Sequence, residues 1–521
     1  MLLLKNHKGY NWHSDGKTFF KGFFFLEAKL YAGLDALNFL NQFDDNNLSK
    51  ELIIKLNGHF SIIRKKHNYI FACVDRTRTF PLFYVQKPDG IIISDNTCDL
   101  LPHVGSTGIN HFAKSQFLAT GYTLGKSTLI EEINQIEPGQ YLVCNGKTYN
   151  TKFYYNYLPE KQVSLSYPEL KISFNKNISE LKERLKLILN NKTPVVPLSS
   201  GYDSRFIVAL LKLSGIENVI CVTFGKENNS EIEVSKLVAE KLGYRWVFIQ
   251  YKSELVSNYI DNKVFKEFYK YSSNHSSMFY MQEYFAVKEL FEQKIIPDNS
   301  LFLPGHMGDF IAGSHLWGDL SNHINLKKVA RKIYNRNFVL VQPDKKNKRA
   351  ILDYLFNQIN TYGTCTYAKT QNWELKERQP KFILNSSNVF SFFGFEYYMP
   401  LCDIDFTGFF TNLPYKYLVN RNFYTTILSE EYFSPLGIDF NRKALPNAFT
   451  LKLQLVKSTI KQFLPWHIKK LFFHHEDTFN YREITKEMIK DMKSRNFPVN
   501  EHVQFENSYI VQWLVSVLEK R

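Results

Sequence analysis

The chain has 521 residues, which at roughly 150 residues per domain allows two or three domains. With 44% hydrophobic and 22% charged residues, 45 Phe and 31 Tyr, core material is ample and global disorder is excluded. The formal net charge of +15 suggests an anionic partner. No apolar run reaches the ~18 residues of a membrane helix, and Met1 to Lys5 leads into Asn6, His7 and Lys8 rather than the apolar core of a secretory leader. Six scattered cysteines without a C-x-x-C pair argue against a zinc ribbon or redox dithiol and fit a cytoplasmic protein.

Residues 1–150 read as short strands. Leu52 to Leu56, Phe60 to Ile63, Tyr69 to Val74, Leu82 to Val85, Ile91 to Ser94 and Gln140 to Val143 are β-rich. Asn57-Gly58, Asp89-Gly90 and Pro138-Gly139 are turn dipeptides. Residues 154–173, rich in Asn, Pro, Lys, Gln and Ser, read as a linker. The expected division is 1–160 and 161–521.

The period then changes. Ile178, Leu181, Leu185, Ile188 and Leu189 recur at helical spacing. Strands are expected at Val195 to Leu198, Val219 to Phe224 and Trp246 to Ile249, with helices at Phe206 to Leu213 and Glu231 to Leu242 between them. Alternating strand and helix predicts a parallel sheet with crossover helices. The remainder reads as mainly helical.

The segment Pro197-Leu198-Ser199-Ser200-Gly201-Tyr202-Asp203-Ser204-Arg205 joins a buried-type strand to a helix. Free N–H groups and the helix dipole attract phosphate there. Gly201 permits close backbone approach, and Ser199, Ser200 and Ser204 supply hydroxyl donors. Asp203 would repel phosphate unless it holds Mg²⁺ against it. The plain alternative is a serine-capped helix after a strand.

This loop resembles the S-G-G-x-D-S loop of the PP-loop ATP pyrophosphatases, which cleave ATP to AMP and pyrophosphate, with Ser200 where glycine is usual. The likeness extends in order along the chain to the asparagine synthetase family. Thr223-Phe224-Gly225 is similar to its adenine-contacting segment. Leu303-Pro304-Gly305-His306-Met307-Gly308-Asp309 is similar to its S-G-E-G-x-D loop, with His306 in the acidic position. Glu396 to Asp403 resembles E-x-R-x-P-F-L-D, with Tyr398 for Arg. Leu56 to Phe60, Val74-Asp75-Arg76, Pro81 to Tyr84, Thr128 to Ile133 and Pro138-Gly139 parallel its glutaminase-like domain.

The resemblance implies an α+β, Ntn-type β-sandwich domain over 1–160, then an α/β PP-loop domain with a helical C-terminal part over 161–521. It implies ATP contacts at Leu198, Ser199, Ser200, Gly201, Asp203, Ser204, Phe224, Pro304 and Gly305, and Mg²⁺ on Asp203 and Asp309. A substrate carboxylate would attack ATP, giving an acyl-adenylate and pyrophosphate, and an amine or ammonia would displace AMP. Asp203 and Asp309 are the catalytic carboxylates of this reading. Arg421, preferred to Lys416, is the expected acceptor-side cation. His306 serves either proton transfer and substrate binding or loop structure. Glutamine-using members place a cysteine after the initiator Met, which supplies thiol and α-amine. Leu2 stands there, so the first domain is expected not to hydrolyse glutamine.

Other features have plainer readings. Gly121 to Ser127 has three residues between its glycines where a Walker A loop has four, and reads as a surface turn. His474-His475-Glu476-Asp477 reads as a solvated helix end rather than a metal site. Residues 441–475 carry seven Lys or Arg and no acid, nearly half the net charge. They suit either weak contact with anionic lipid or a packed helix with snorkelling lysines. The remaining excess needs no nucleic acid. The expected partners are small carboxylate and amine substrates. The rival readings are asparagine formation with ammonia, a non-catalytic nucleotide-binding scaffold and a tRNA-modifying PP-loop enzyme.

Overall fold

In this computed structural model the described residues are 1–6, 9–43, 50–159, 164–227, 230–317, 320, 324–362, 365–440 and 477–519. The first eleven strands are β1 Leu2–Leu3, β2 Trp12–Ser14, β3 Thr18–Leu26, β4 Lys29–Ala32, β5 Asn57–Lys66, β6 Tyr69–Val74, β7 Phe83–Lys87, β8 Gly90–Ser94, β9 Asn134–Gln135, β10 Gln140–Asn145 and β11 Thr148–Phe153. They form two sheets. One is ordered β1-β8-β7-β9, and the other β11-β10-β6-β5-β3-β2 with β4 paired to β3.

Period-two alternation decides which side chain meets which layer. Phe71 and Cys73 of β6 join Phe24 and Phe60 beneath the helix Gly33–Leu40. Ile70, Ala72 and Val74 of the same strand join Tyr84, Ile91 and Ile93 of the facing sheet. A third set, including Phe23, Phe25 and Phe80, belongs to the large core that runs on into the second half of the chain.

Two local expectations are corrected. Leu52 to Leu56 is not a strand: residues Lys50–Ile53 are helical, and Ile54 N–H donates to Lys50 C=O at 3.0 Å. Burial there recurs at Ile53 and Leu56, a helical rather than an alternating interval. Asn57-Gly58 is not a turn but the start of β5, paired with Phe25 and Phe24. A Cβ on Gly58 would sit 2.4 Å from the Phe23 carbonyl oxygen, so this glycine serves strand approach.

The described residues on either side of 160–163 in the expected linker are more fixed than their composition suggests. Ser166 and Glu169 form a capping box that starts the helix Tyr167–Ile188. Tyr154 and Tyr157 are buried, and Tyr157 N–H donates to Asn372 Oδ1 at 2.8 Å.

The second sheet region is parallel. Its strands are β12 Thr193–Pro197, β13 Ile220–Gly225, β14 Arg245–Gln250, β15 Ser300–Phe302 and β16 Glu396–Tyr397, in the order β14-β13-β12-β15-β16. The chain winds outward from β12 through β13 to β14, then returns to β15 on the other side of β12. The loops leaving β12 and β15 therefore diverge at a topological switch point, where open α/β sheets bind ligands. Helices occupy most of the described remainder.

The Gly121 to Ser127 segment is not a surface turn. Gly125 is buried, its N–H donates to Glu377, and the Thr123 and Gly125 carbonyls accept from Lys381 Nζ. Lys381 and Glu377 form a fully buried pair at 2.7 Å, which docks the first sheets against the later helices. Residues 441–475, His474, His475 and Glu476 lie outside the described residues. Asp477 accepts from Tyr481 N–H at 2.7 Å and pairs with Lys226, as an acid near the start of the helix Tyr481–Ser494 should. Among the described residues no helix is long and apolar enough to cross a membrane.

Candidate active site

The apolar strand β12 delivers Leu198, itself buried, to the start of the first loop. Gly201 is the N-cap of the helix Tyr202–Leu213 and makes no side-chain cap, so the first N–H groups of that helix face the loop. Ser204 Oγ accepts from Ser199 N–H at 3.1 Å and lies 3.1 Å from Ser199 Oγ, which in turn accepts from Gly201 N–H at 3.2 Å. Ser200 C=O is held by Arg205 Nη2 at 2.6 Å. Arg205 is fully buried and also donates to Ile438 C=O, so it shapes the loop from beneath. Gly201 has φ −70° and ψ 161°, which any residue adopts. Its lack of a side chain serves approach, not turn geometry.

The second loop follows β15. Leu303 N–H donates to Val195 C=O at 2.8 Å, which keeps the loop beside β12. Two glycines press it onto the first loop. A Cβ on Gly305 would lie 2.7 Å from Ser204 N, and one on Gly308 would lie 2.3 Å from Asp203 Cγ. Met307 takes φ 79°, and the helix Gly308–Ile311 then presents Asp309 in its first turn. Pro304 is buried behind the loop.

Asp203 and Asp309 thus share one cleft. Burial raises the Asp203 carboxyl to about 7; the hydrogen bond from Tyr424 opposes this and the charge of Asp309 adds to it. Tyr424 Oη donates to Asp203 Oδ1 at 2.8 Å, and Arg421 Nη1 lies 2.9 Å from Asp309 Oδ1. The Arg421–Asp309 pair is 44% and 60% exposed, so it adds little stability and leaves the arginine free to re-pair. Two carboxylates without a third acidic, His or Cys partner do not make a protein-only metal cage; among the described residues no cluster of three such groups occurs. They do match Mg²⁺, which is commonly held by one or two carboxylates together with substrate phosphates.

His306 lines the cleft with both nitrogens near serine hydroxyls, Nδ1 3.1 Å from Ser387 Oγ and Nε2 3.4 Å from Ser386 Oγ. Burial lowers its pKa to about 4, so it stands neutral at physiological pH. This arrangement suits anchoring of the loop better than proton transfer. Phe224, at the end of β13, stacks on Tyr251 at 5.8 Å. Lys416 sits over the Tyr417 ring at 4.8 Å, in contrast to Arg421 on Asp309.

Tyr398, standing where the resembled motif has arginine, is buried against Phe23, Phe25 and His59. Nearby, His59 Nε2 accepts from Met399 N–H at 3.1 Å, and Asp403 accepts from Arg184 Nη2 at 3.1 Å and from Asn57 Nδ2 at 2.8 Å. This segment joins the two sheet regions. Sequence reasoning missed Tyr424, three residues beyond Arg421. It also missed Ser314, His315, Arg336, Arg378 and Gln379, which line a cavity of about 180 Å³ continuing from Asp203 and Asp309. Arg336, Arg378 and Gln379 come from helical stretches and Ser314 and His315 from the turn after Ile311, none of which carries a motif.

Residues 191–430 match the asparagine synthase family. No curated protein is significantly similar in sequence to the chain. Among solved structures, an NH3-dependent NAD synthetase from Campylobacter jejuni subsp. jejuni NCTC 11168, in complex with the nitrate ion, aligns at 14% identity and TM-score 0.21, covering 43% of this chain and 96% of that one. The family match spans β12 through Arg421, and so includes both loops, both carboxylates and the switch point between them: residues 191–430 of this chain are an asparagine synthase domain.

Proposed function

We propose that the protein is an ATP-dependent amide-forming ligase that activates a substrate carboxylate as its acyl-adenylate, releases pyrophosphate, and passes the acyl group to an amine or ammonia. The observation that carries this reading is the convergence of Asp203 and Asp309, from the loops after β12 and β15, on one cleft at the helix N-terminus. The N–H groups at the start of the helix Tyr202–Leu213 and the hydroxyls of Ser199 and Ser204 bind the phosphates. Gly201 leaves room for that contact.

Asp203 and Asp309 would hold Mg²⁺, which when bound would supply charge neutralisation at the phosphates. Tyr424 holds Asp203 in position through the 2.8 Å hydrogen bond. Arg421 is one hydrogen bond from Asp309 and neutralises the charge that develops on departing pyrophosphate. His306 fixes the second loop through Ser386 and Ser387. The first domain acts as a packed partner rather than a glutaminase.

The test is pyrophosphate release across a panel of amino acids and uronic acids, with and without ammonium or glutamine. An acid-dependent release with matching AMP is expected, and Asp203→Asn should abolish it. ATP–pyrophosphate exchange at background with every acid would refute the reading in favour of a non-catalytic nucleotide-binding protein.

A further inference from the structure

The cavity beside the two carboxylates is also lined by basic side chains. With Asp203, Gly305 and Asp309 its walls include Arg336, which is exposed, Arg378 and His315. His315 is 2% exposed, and neither of its ring nitrogens has a hydrogen-bond partner. Its ring is fixed by stacking on Phe310, with centroids 5.0 Å apart. Both nitrogens of this buried imidazole are thus open to a hydrogen-bond partner within the cavity.

The two guanidiniums beside it are similarly under-used. Arg336, at the rim, donates to Ser314 C=O at 3.2 Å. Arg378 lies over the Phe382 ring and comes no closer than 3.9 Å to Glu374, beyond hydrogen-bond distance. Glu374 itself does not line the cavity, whose only described acids are Asp203 and Asp309 at the mouth. An ammonium beside the arginines would therefore meet two cations against one buried acid, Glu374, which pairs with Arg378 from outside the lining. A carboxylate or phosphate there would receive planar, bidentate donors.

We infer that the acid activated at this site is at least a dianion: one carboxylate reacts at the mouth, and a second anionic group, without an adjacent ammonium, is held by Arg336, Arg378 and His315. The inference takes its reaction from the ligase reading above, while the charge of the ligand rests on the cavity. A volume of about 180 Å³ equals some six waters, enough for a short-chain acid. Arg336 also borders a second groove of about 510 Å³ whose walls include Trp317, Lys332, Tyr334 and Lys348, so a longer substrate would leave past the same cation.

The test uses the full chain and calorimetric titration with succinate and 3-phosphoglycerate, against the matched monoanions butyrate and glycerate. At least one dianion should bind tenfold or more tightly than its monoanion. Which of the two does so identifies the second group as carboxylate or phosphate. Arg378→Gln should remove that preference, Arg378→Lys should restore part of it, and ATP binding should stay within twofold. Arg336→Gln, at the rim, provides a second variant if Arg378→Gln fails to fold. Equal affinity for mono- and dianions, or a preference that survives both substitutions, overturns the inference. Pyrophosphate release driven equally by monoacids overturns it while keeping the ligase reading. Dianion binding that depends on Arg378, with no pyrophosphate formed from any acid, supports the anion pocket and refutes the ligase reading.

Discussion

Replacing Gly308 with alanine tests whether contact between the two loops sets the position of Asp203. The new Cβ would lie 2.3 Å from Asp203 Cγ, 2.4 Å from Oδ1 and 2.7 Å from Oδ2. Carbon contacts settle near ~3.5 Å, so the carboxyl must retreat by about 1 Å. That retreat stretches the 2.8 Å bond from Tyr424 beyond hydrogen-bond distance. The backbone itself accepts the change: Gly308 starts a helix and is not among the glycines with positive φ, and alanine favours helical backbone by up to ~1 kcal/mol. Folding should therefore survive, with a melting temperature close to that of the parent. Catalysis should not, because a displacement of about 1 Å at reacting groups costs on the order of 10²-fold. Acid-dependent pyrophosphate release, measured beside thermal melting, separates the two effects. A Gly308→Ala protein that melts like the parent and keeps activity within threefold would refute the claim that this contact positions Asp203.

Gly201→Ala has only Ser199 Oγ in its way, at 3.2 Å, so its stability should match the parent while ATP affinity falls by about tenfold if the loop backbone cradles phosphate; unchanged ATP titrations would count against that role. Because the folded Asp203 carboxyl, raised to about 7, holds its proton more tightly than the unfolded group at 3.8, this stabilising term is lost as pH rises from about 4 through 7. Asp203→Asn, melted in EDTA, should therefore gain on the parent over that window and level off above it, and a constant difference between pH 5 and 8 is the contrary result. Lys381→Met leaves Glu377 charged and fully buried and should cost about 3–5 kcal/mol in urea denaturation; a loss below about 1 kcal/mol would show that the pair does not hold the sheets to the helices. Glutamine should yield no ammonia, since Cys73 is buried with its thiol pushed far up by burial, and ammonia release abolished by thiol alkylation would contradict this.

The doubly wound part of the fold was the most legible. Strands expected at Val195 to Leu198, Val219 to Phe224 and Trp246 to Ile249 appear as β12, β13 and β14, because buried parallel strands and their crossover helices differ in both period and length. The strands β15 and β16 were not read as strands. Three residues and two residues carry no period, and their pairing depends on β12 being in place. Among the first eleven strands, β3 escaped notice although Thr18–Leu26 holds five phenylalanines, since continuous aromatic burial on both faces hides alternation. The Leu52 to Leu56 error has the opposite origin: a short apolar run does not distinguish strand from helix until its burial interval is known.

Site residues were legible in proportion to how much backbone geometry they require. Gly305 and Gly308 could be found from sequence because loop-to-loop contact leaves no room for a Cβ, and Asp203 and Asp309 because each sits at a fixed step from such a turn. Arg378, Arg336 and His315 have no such constraint. Arg336 and Arg378 come from helical stretches and His315 from a turn, where many residues would satisfy the backbone, and only tertiary packing brings them to one cavity. The same division separates reaction from substrate. On the proposed reading, handling of ATP is tied to a loop and a helix end, whose sequence cost is visible, whereas selection of the acid would fall to side chains that can change without disturbing the fold. His306 and Tyr398 fit this account. Each departs from the resembled motif, yet each is satisfied by its neighbours, His306 by Ser386 and Ser387 and Tyr398 by the aromatic wall of β3. The loops could thus stay recognisable while other walls of the cleft diverged, so on the proposed reading the charge of the acid must be read from the cavity, where Arg336 and Arg378 are in the lining and Glu374, the acid paired with Arg378, is not.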